Sequence, residues 1–446
     1  MEPNALLDAL MDEAGVSRAG LASRVNKEHL ARTGRATRYD HTSVIRWLGG
    51  QKPRGIVPDL ICDVLAAKLG RPVAGADIGM DAPNGGAPTA TPLARFIERS
   101  TAMWRGDGRS QNAAPQPPVI TGLAAVGPVW EWENPPDDLD VSRSGSVRIG
   151  QGDLAILSVA RTHYEAMYRQ VGGMATRGRV VRFLTDHTAP LLRGSYSDTT
   201  GRELYRAAGG LVAVAGICAY DSDAPGLAQR YFHQALRLAK ASGDRAFGGY
   251  VIALLVNQAI FMKDFRQAVA FAEAGIRTAG THMSPALATD LYAMQAKAFS
   301  RMGDQSAAHR CMLAAETAAD RIRAAEEPAE LGYVQPGLVE AQLAEALMSL
   351  GDWAPASTYA QQAVQARAHA RGSVHRMATL ASAELGRGDT DRAAAHAVEA
   401  LELAQGQESQ RLRGRFVRLR HALSGQGSKA GRDAVDRIDA VLSVPL

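Results

Sequence analysis

Residues 39–54, YDHTSVIRWLGGQKPR, hold the densest set of side chains able to recognise another molecule. Read as a short helix, His41, Thr42, Ser43 and Arg46 share its outward surface, while Val44, Trp47 and Leu48 point inward. Arg46 can donate two hydrogen bonds to guanine O6 and N7, the commonest base-specific contact to DNA. His41 and Thr42 can hydrogen-bond a base edge, and Ile45 can meet a thymine methyl group. Ser17, Arg18, Lys27, Arg32, Arg35, Arg38, Lys52 and Arg54 suit phosphate oxygens, contacts that orient a protein without reading sequence.

The elements that must position these groups are helices. Gly49-Gly50 ends the reading segment, and a basic turn, Lys52-Pro53-Arg54, follows it. Upstream, SRAGLASRV (17–25) is a second helical pattern, and Ser17 can cap it. Asp40 can cap the third, where it also meets the positive end of the helix dipole. A first helix is expected over 4–13. A fourth is expected over 56–69, with Leu60, Ile61, Val64, Leu65 and Leu69 on one face and Gly70 as its stop. Residues 1–80 therefore predict a helix-turn-helix domain that presents one helix to the DNA major groove. One feature departs from the short form of that motif: about fourteen residues, NKEHLARTGRATRY, separate the two patterns. They extend the second helix or lie along the DNA backbone.

Charge supports this reading locally. The whole chain of 446 residues carries a net charge of only +4, too little for a protein that coats nucleic acid. Residues 15–60 hold nine Lys and Arg against three acids (Glu28, Asp40, Asp59), so nine minus three gives +6 over about a tenth of the length. The three cysteines, Cys62, Cys218 and Cys311, are far apart and lie in helical patterns, so neither a disulfide framework nor a zinc site is expected. The first fifteen residues are acidic and amphipathic, unlike a secretory leader, and no apolar run reaches membrane-spanning length. The expected location is cytoplasmic, without membrane contact.

Beyond residue 80 the composition changes. Residues 81–92 read as a linker, a short helix is expected over 93–104, and 105–150 are rich in Pro and Gly. Val119–Val129 with Trp130 and Trp132 are too apolar for a simple tether and are expected to dock on a neighbour. Residues 81–150 thus form a linker and partly ordered connecting segment. From 151 to 446 an Ala-rich helical pattern predominates. It begins with two helices, 153–170 and 176–192, placed to cap the remaining helices.

A repeat is visible on the Asp of successive inter-helix turns: Asp264, Asp304, Asp352 and Asp389. Four residues later stand Ala268, Ala308, Ala356 and Ala393. Eleven residues later stand Gly275, Ala315, Ala363 and Ala400. Eight residues earlier stand Val256, Ala296, Ala344 and Ala381. Gly216, Ala228, Phe232 and Ala235 make a further unit with a one-residue shift. Small residues at these places let two antiparallel helices approach closely and let the next pair stack on them. The pattern resembles the tetratricopeptide repeat, although the Asp markers are spaced unevenly and the aromatic positions are kept only at Phe232, Tyr292 and Phe299. The extra length fits loops such as GTHMS (280–284) and AAEEPAELG (324–332). The fold class expected is all-α, an N-terminal helix-turn-helix domain followed by an α-solenoid of tetratricopeptide-like helix pairs.

Tyr39-Asp40-His41-Thr42-Ser43-Val44, with Trp47-Leu48 and Pro53-Arg54, resembles the N-terminal domain of actinobacterial regulators of the phage-repressor-like class that carry tetratricopeptide repeats. Residues 190–221 and 226–244 look like the same family. The resemblance covers most of the chain, most weakly residues 81–150. It implies a cytoplasmic, DNA-binding regulator of development or secondary metabolism, and it implies no effector.

In such arrays the first helix of each pair lines a concave groove. Counting back seven and fourteen residues from the turn Asp puts Asn257, Lys297, Glu345 and Ser382, and Tyr250, Asp290, Leu338 and His375, on that surface. Tyr250, Asn257, Asp290 and Lys297 form a candidate groove for a peptide or effector, because Asn and Lys can hold a peptide backbone or carboxylate. The same surface could be filled by the chain's own helices or by a second subunit. A homodimer is expected, since readers of this type gain affinity from two half-sites one helical turn apart.

Catalysis is not expected. The chain has no phosphate-cradling loop (GSVRIGQGD at 145–153 lacks the following Lys-Ser/Thr), no metal-ligand His pair and no nucleophile motif. His163, His187, His282 and His309 stand singly, and neither metal nor cofactor is implied. Two functions compete. One is a sequence-specific transcriptional regulator acting on double-stranded DNA, with repeats for dimerisation and partner binding. The other is a repeat scaffold whose N-terminal domain docks protein.

Overall fold

The computed structural model describes residues 3–53, 55–70, 73, 75, 77–80, 92–109, 116–134 and 138–443. The chain divides into two compact units, Met1–Thr89 and Ala90–Leu446. Among the described residues the regular structure is helical, apart from isolated bridges that join Arg143 to Tyr196 and Arg148 to Ser195. Among them, too, no helix is long and apolar enough to cross a membrane. The linker expected at 81–92 falls, but for its last residue, outside the described residues.

The first unit holds α1 (Ala5–Glu13), α2 (Arg18–Thr33), α3 (His41–Leu48) and α4 (Val57–Leu69). The first three start at a side-chain cap, and α4 starts with Pro58 in its first turn. Asn4 accepts from the Leu7 amide at the start of α1, and its own side-chain amide donates to the Ile78 carbonyl at 2.8 Å. Ser17 accepts from the Gly20 amide at the start of α2. The apolar faces of the four helices close on one core of Leu7, Leu21, Val25, Val44, Trp47, Leu60, Ile61 and Leu65. The long separation read between the second and third helices is resolved in favour of extension: α2 runs on to Thr33, and only Gly34–Asp40 connects it to α3.

The second unit opens with α5 (Pro92–Arg109), α6 (Leu123–Glu133), α7 (Gln151–Val171) and α8 (Gly173–Phe183). The helix expected over 176–192 is broken, with a π-helical turn at Leu184–Thr188 joining α8 to α9 (Ala189–Leu192). The boundary expected at residue 150 is corrected. Trp104 of α5, Trp132 of α6, Val141 and Ile149 are buried in the same core as Leu157, Leu204 and Phe247, so residues 92–150 belong to this unit. Composition hid this, because side chains of the solenoid hold the Pro-rich stretch in place. Gln229 accepts from the Ile120 amide at 2.7 Å and donates to its carbonyl at 3.0 Å. Arg230 donates to the Pro118 carbonyl at 2.7 Å, and Arg237 pairs with Asp138 at 2.7 Å. Of the two tryptophans expected to dock, Trp132 is buried and Trp130 is 65% exposed.

Six antiparallel helix pairs come next among the described residues. They are α10 (Asp198–Asp221) with α11 (Pro225–Ser242), α12 (Arg245–Phe261) with α13 (Phe265–Ala279), and α14 (Pro285–Met302) with α15 (Gln305–Ala319). Then come α16 (Leu338–Leu350) with α17 (Trp353–Gln365), α18 (Ala370–Gly386) with α19 (Thr390–Leu403), and α20 (Gln410–Ser424) with α21 (Lys429–Leu442). The first helices of successive pairs pack on one another, which makes an α-solenoid.

The repeat markers have a physical meaning in this stack. Asp264, Asp304 and Asp389 each cap the second helix of a pair, accepting from the amides of Gln267, Ala307 and Arg392. Asp352 stands at the same place without a side-chain cap bond. All twelve small or Val positions read from the sequence are buried. A Cβ on Gly216 would lie 2.5 Å from a ring atom of Phe232, so the first pair can close only on glycine. Such close approach places many weak dispersion contacts at their optimum distance, which is how an Ala-rich interface holds together.

The solenoid also returns on itself. The Glu408 amide donates to the Val171 carbonyl at 2.8 Å, and the Met174 amide donates to the Glu408 carbonyl at 3.2 Å. At Gly172, with φ of 94°, a Cβ would meet the Glu408 oxygen at 2.4 Å. Beside this seam Asp221 is fully buried. It accepts from the Gly173 amide and the Ser409 hydroxyl, both at 2.8 Å, and it pairs with Arg371. A carboxylate so deep is tolerable only when its oxygens are satisfied, and here three donors from separate segments do so.

Candidate nucleic-acid interface

The third helix of the first unit is short, so its ends decide whether it forms. Asp40 accepts from the Ser43 amide at 2.9 Å, and the Ser43 hydroxyl reaches back to the Asp40 amide, closing a capping box. The Ser43 amide, then its hydroxyl, hold the Asp40 carboxyl down at about 2. At the other end Gly49 and Gly50 return their amides to the carbonyls of Ile45 and Trp47. Inward, Val44 and Trp47 are buried, and Tyr39 meets Trp47 edge-on with ring centroids 5.4 Å apart.

This geometry leaves His41, Thr42, Ile45 and Arg46 exposed. At 100° per residue they span an arc of about 140° on one side of α3. Ser43 is corrected. It is 7% exposed, and its hydroxyl serves the capping box, so it is not part of the outward surface. The helical wheel of an eight-residue segment does not reveal which of two adjacent polar residues the cap will claim.

The cationic residues fall into three groups. Arg18, Lys27, Arg35, Arg38 and Lys52 are exposed, as is Ser17, whose oxygen is already engaged as the cap of α2. Arg32 is also exposed but pairs with Asp63 of α4, so its charge is partly committed within the unit. Arg54 lies outside the described residues. One positioning residue was not visible to motif reading. Asn26 of α2 donates to the Tyr39 carbonyl at 2.8 Å and accepts from the Tyr39 amide at 2.9 Å and the Thr37 hydroxyl at 2.8 Å. It pins the end of the connection that carries Arg35 and Arg38 against the start of α3. An Asn in mid-helix gives no periodic signal, and only its partners reveal its role.

The candidate groove of the second unit fares differently. Tyr250 and Asp290 are buried under the chain's own loop between α15 and α16. The Tyr333 hydroxyl donates to Asp290 at 2.6 Å, Gln342 donates to its other oxygen at 2.9 Å, and the Tyr333 ring lies 6.4 Å from that of Tyr250. Burial raises the Asp290 carboxyl above its usual range, against these hydrogen bonds. The same loop sends Glu330 inward to Arg161 at 3.1 Å and Arg206 at 2.9 Å. Tyr250 and Asp290 are therefore withdrawn as ligand contacts, while Asn257 and Lys297 stay half-buried. Lys297 pairs with Glu345 at 2.7 Å, and Arg415 of α20 joins the same carboxylate. Burial alone would raise Glu345, yet Lys297, Arg415 and His375 hold it well below the usual carboxylate range. So Lys297, Glu345 and His375, expected on one concave surface, do come together, and α20 brings arginines to them that the repeat count did not foresee.

Residues 7–81 match the family model described as the SP15 N-terminal domain. That span covers α1 but for its first two residues, and all of α2 to α4, and lies wholly within the first unit. No curated protein matches this chain.

Proposed function

We propose that the first unit binds duplex DNA with α3 in the major groove, and that the protein is a sequence-specific transcriptional regulator. The observation that carries this reading is the exposed row His41, Thr42, Ile45 and Arg46 on a helix capped at both ends and backed by Trp47. Exposed Arg18, Lys27, Arg35, Arg38 and Lys52 supply charge for the phosphates on either side of that helix in the chain. Base contacts from Arg46 select sequence, and phosphate contacts from the others position the unit. The likeness of residues 39–54 to regulators of development or secondary metabolism extends the reading to that class of target gene. The helix pairs of the second unit serve dimerisation and partner binding, which gives two readers for two half-sites. The test is a gel shift with purified full-length protein over a salt series. Binding should fall steeply with salt, with a slope set by the number of phosphates neutralised. A first unit that instead docks protein would leave DNA unshifted at low salt.

A further inference from the structure

We propose that the inner face of the second unit binds a small anion carrying two or more negative charges, phosphate or carboxylate, with Arg411 and Arg418 as its ligands. This deepens the reading of the repeats as an input domain and rests on that reading, not on DNA binding.

On α20, Arg411, Arg415 and Arg418 stand at spacings of four and three, so they share one face, while Leu412, Phe416, Leu419 and Leu423 are buried on the other. The arginine face meets the first helices of earlier pairs. The Arg411 guanidinium lies 3.7 Å from the ring centroid of Tyr220 on α10 and 3.9 Å from that of Phe261 on α12. Arg415 reaches Glu345 on α16 and the Thr379 hydroxyl on α18 at 3.3 Å. Arg418 follows Arg415 by three residues on the same face of α20. Segments distant in sequence thus deliver cations to one region.

The charges there do not balance. The cations are Lys297, Arg371, Arg411, Arg415 and Arg418, and the carboxylates they meet are Glu345 and Asp221. Five minus two leaves a surplus of three positive charges. Glu345 is shared by Lys297 and Arg415, and Asp221 is taken by Arg371, Ser409 and Gly173. Among the described residues neither Arg411 nor Arg418 has a carboxylate within ion-pair distance. The Nη1 atom of Arg411 is buried without a hydrogen-bond partner. Burial, together with the neighbouring guanidinium groups, presses Arg411 below the usual arginine range. Arg418, further along the same face of α20, is exposed to solvent, so the enclosed nitrogen of Arg411 is the donor that lacks a partner. A buried donor left unmade is costly, and an oxyanion is the partner that guanidinium geometry fits best.

Calorimetric titration of the full-length protein with pyrophosphate, and separately with citrate, tests the assignment, with sodium chloride at matched ionic strength as the reference. Saturable binding of at least one of the two is expected, and which one binds names the oxyanion. Arg418→Gln breaks no hydrogen bond or ion pair, so it should fold as the wild type does yet bind about tenfold or more weakly, the loss expected for one charge-assisted contact. Arg411→Gln should weaken binding similarly, and Arg46→Ala should leave it unchanged. Heats no different from those of sodium chloride would overturn the proposal. So would affinity retained in Arg418→Gln and Arg411→Gln but lost in Arg46→Ala, which would place the anion on the first unit. DNA binding is measured separately, so either reading can fail without the other.

Discussion

Arginine does opposite work in the two units. In the first, Arg18, Arg35, Arg38 and Arg46 lie on the surface, hydrated and held by few partners of their own. In the second, Arg161, Arg371, Arg376 and Arg411 turn inward, where each needs a carboxylate, a carbonyl or a ring. Surface charges contribute little to folding and are free to meet another polyanion. Buried ones are costly unless paired, so they tie distant segments together. The first unit is stable for another reason, its apolar core around Trp47. Loss of an exposed arginine there should change binding and spare the fold. Loss of a paired buried charge in the second unit should change the fold itself.

The sharpest ways to break this contrast come from the two cores. Trp47→Ala should cost about 3–5 kcal/mol, the usual range for deleting a buried aromatic ring. The first unit would then unfold while the helicity of the second persists, seen as partial loss of circular dichroism and complete loss of DNA binding. Unchanged melting with lost binding would instead put Trp47 on the DNA. Asp221→Ala leaves Arg371 buried without its carboxylate and should destabilise the second unit by about 3–5 kcal/mol. Thermal melting of the full chain checks this, and a shift near zero would mean that the seam at Glu408 holds without the ion pair.

Smaller effects are expected at the surface. Arg46→Ala should lose about 1–3 kcal/mol of sequence-specific binding with melting unchanged. Lys27→Ala or Arg38→Ala should weaken all DNA sequences alike and reduce the salt slope by about one each. If Arg46→Ala weakened random and specific DNA equally, that arginine would be a phosphate contact. The smallest effect concerns the cap. The Asp40 carboxyl is lowered from 3.8 to about 2 in the folded chain, so its contribution is present above 3.8 and disappears as the pH falls towards 2. Asp40→Asn keeps an acceptor but cannot titrate. The stability difference between wild type and this variant should therefore shrink across that window, and a constant difference would mean that the charge of Asp40 contributes nothing.

Legibility in the sequence depends on which forces act locally. Caps and periodic apolar faces are local, so the helix starts at Asn4, Ser17 and Asp40 and the turn residues Asp264, Asp304 and Asp389 stand where expected. Small residues at fixed offsets are a packing requirement repeated in the first five pairs, and those read from the sequence are all buried. The features that escaped are non-local. Nothing near Asp221 announces that Arg371 and Ser409 will reach it from 150 or more residues away. The loop read as spare length at 324–332 instead fills the groove, because Glu330, and Tyr333 just beyond it, find partners on α7, α10 and α14. Pro and Gly in 105–150 suggested a tether, while the side chains that order it, Gln229 and Arg237, lie about a hundred residues further on. Within the candidate interface, Ser43 was misplaced for a local reason, the competition between capping and exposure.

On the function proposed above, α3 reads DNA sequence. Selection from a pool of random duplexes, with wild-type protein and Arg46→Ala in parallel, tests it most directly. Wild type should enrich one motif, as two half-sites about 10 base pairs apart if the protein is dimeric. Arg46→Ala should still retain duplexes at low salt but lose preference for guanine at one position in each half-site. Absence of any enriched motif with the wild-type protein, under conditions where it is folded, would contradict the claim.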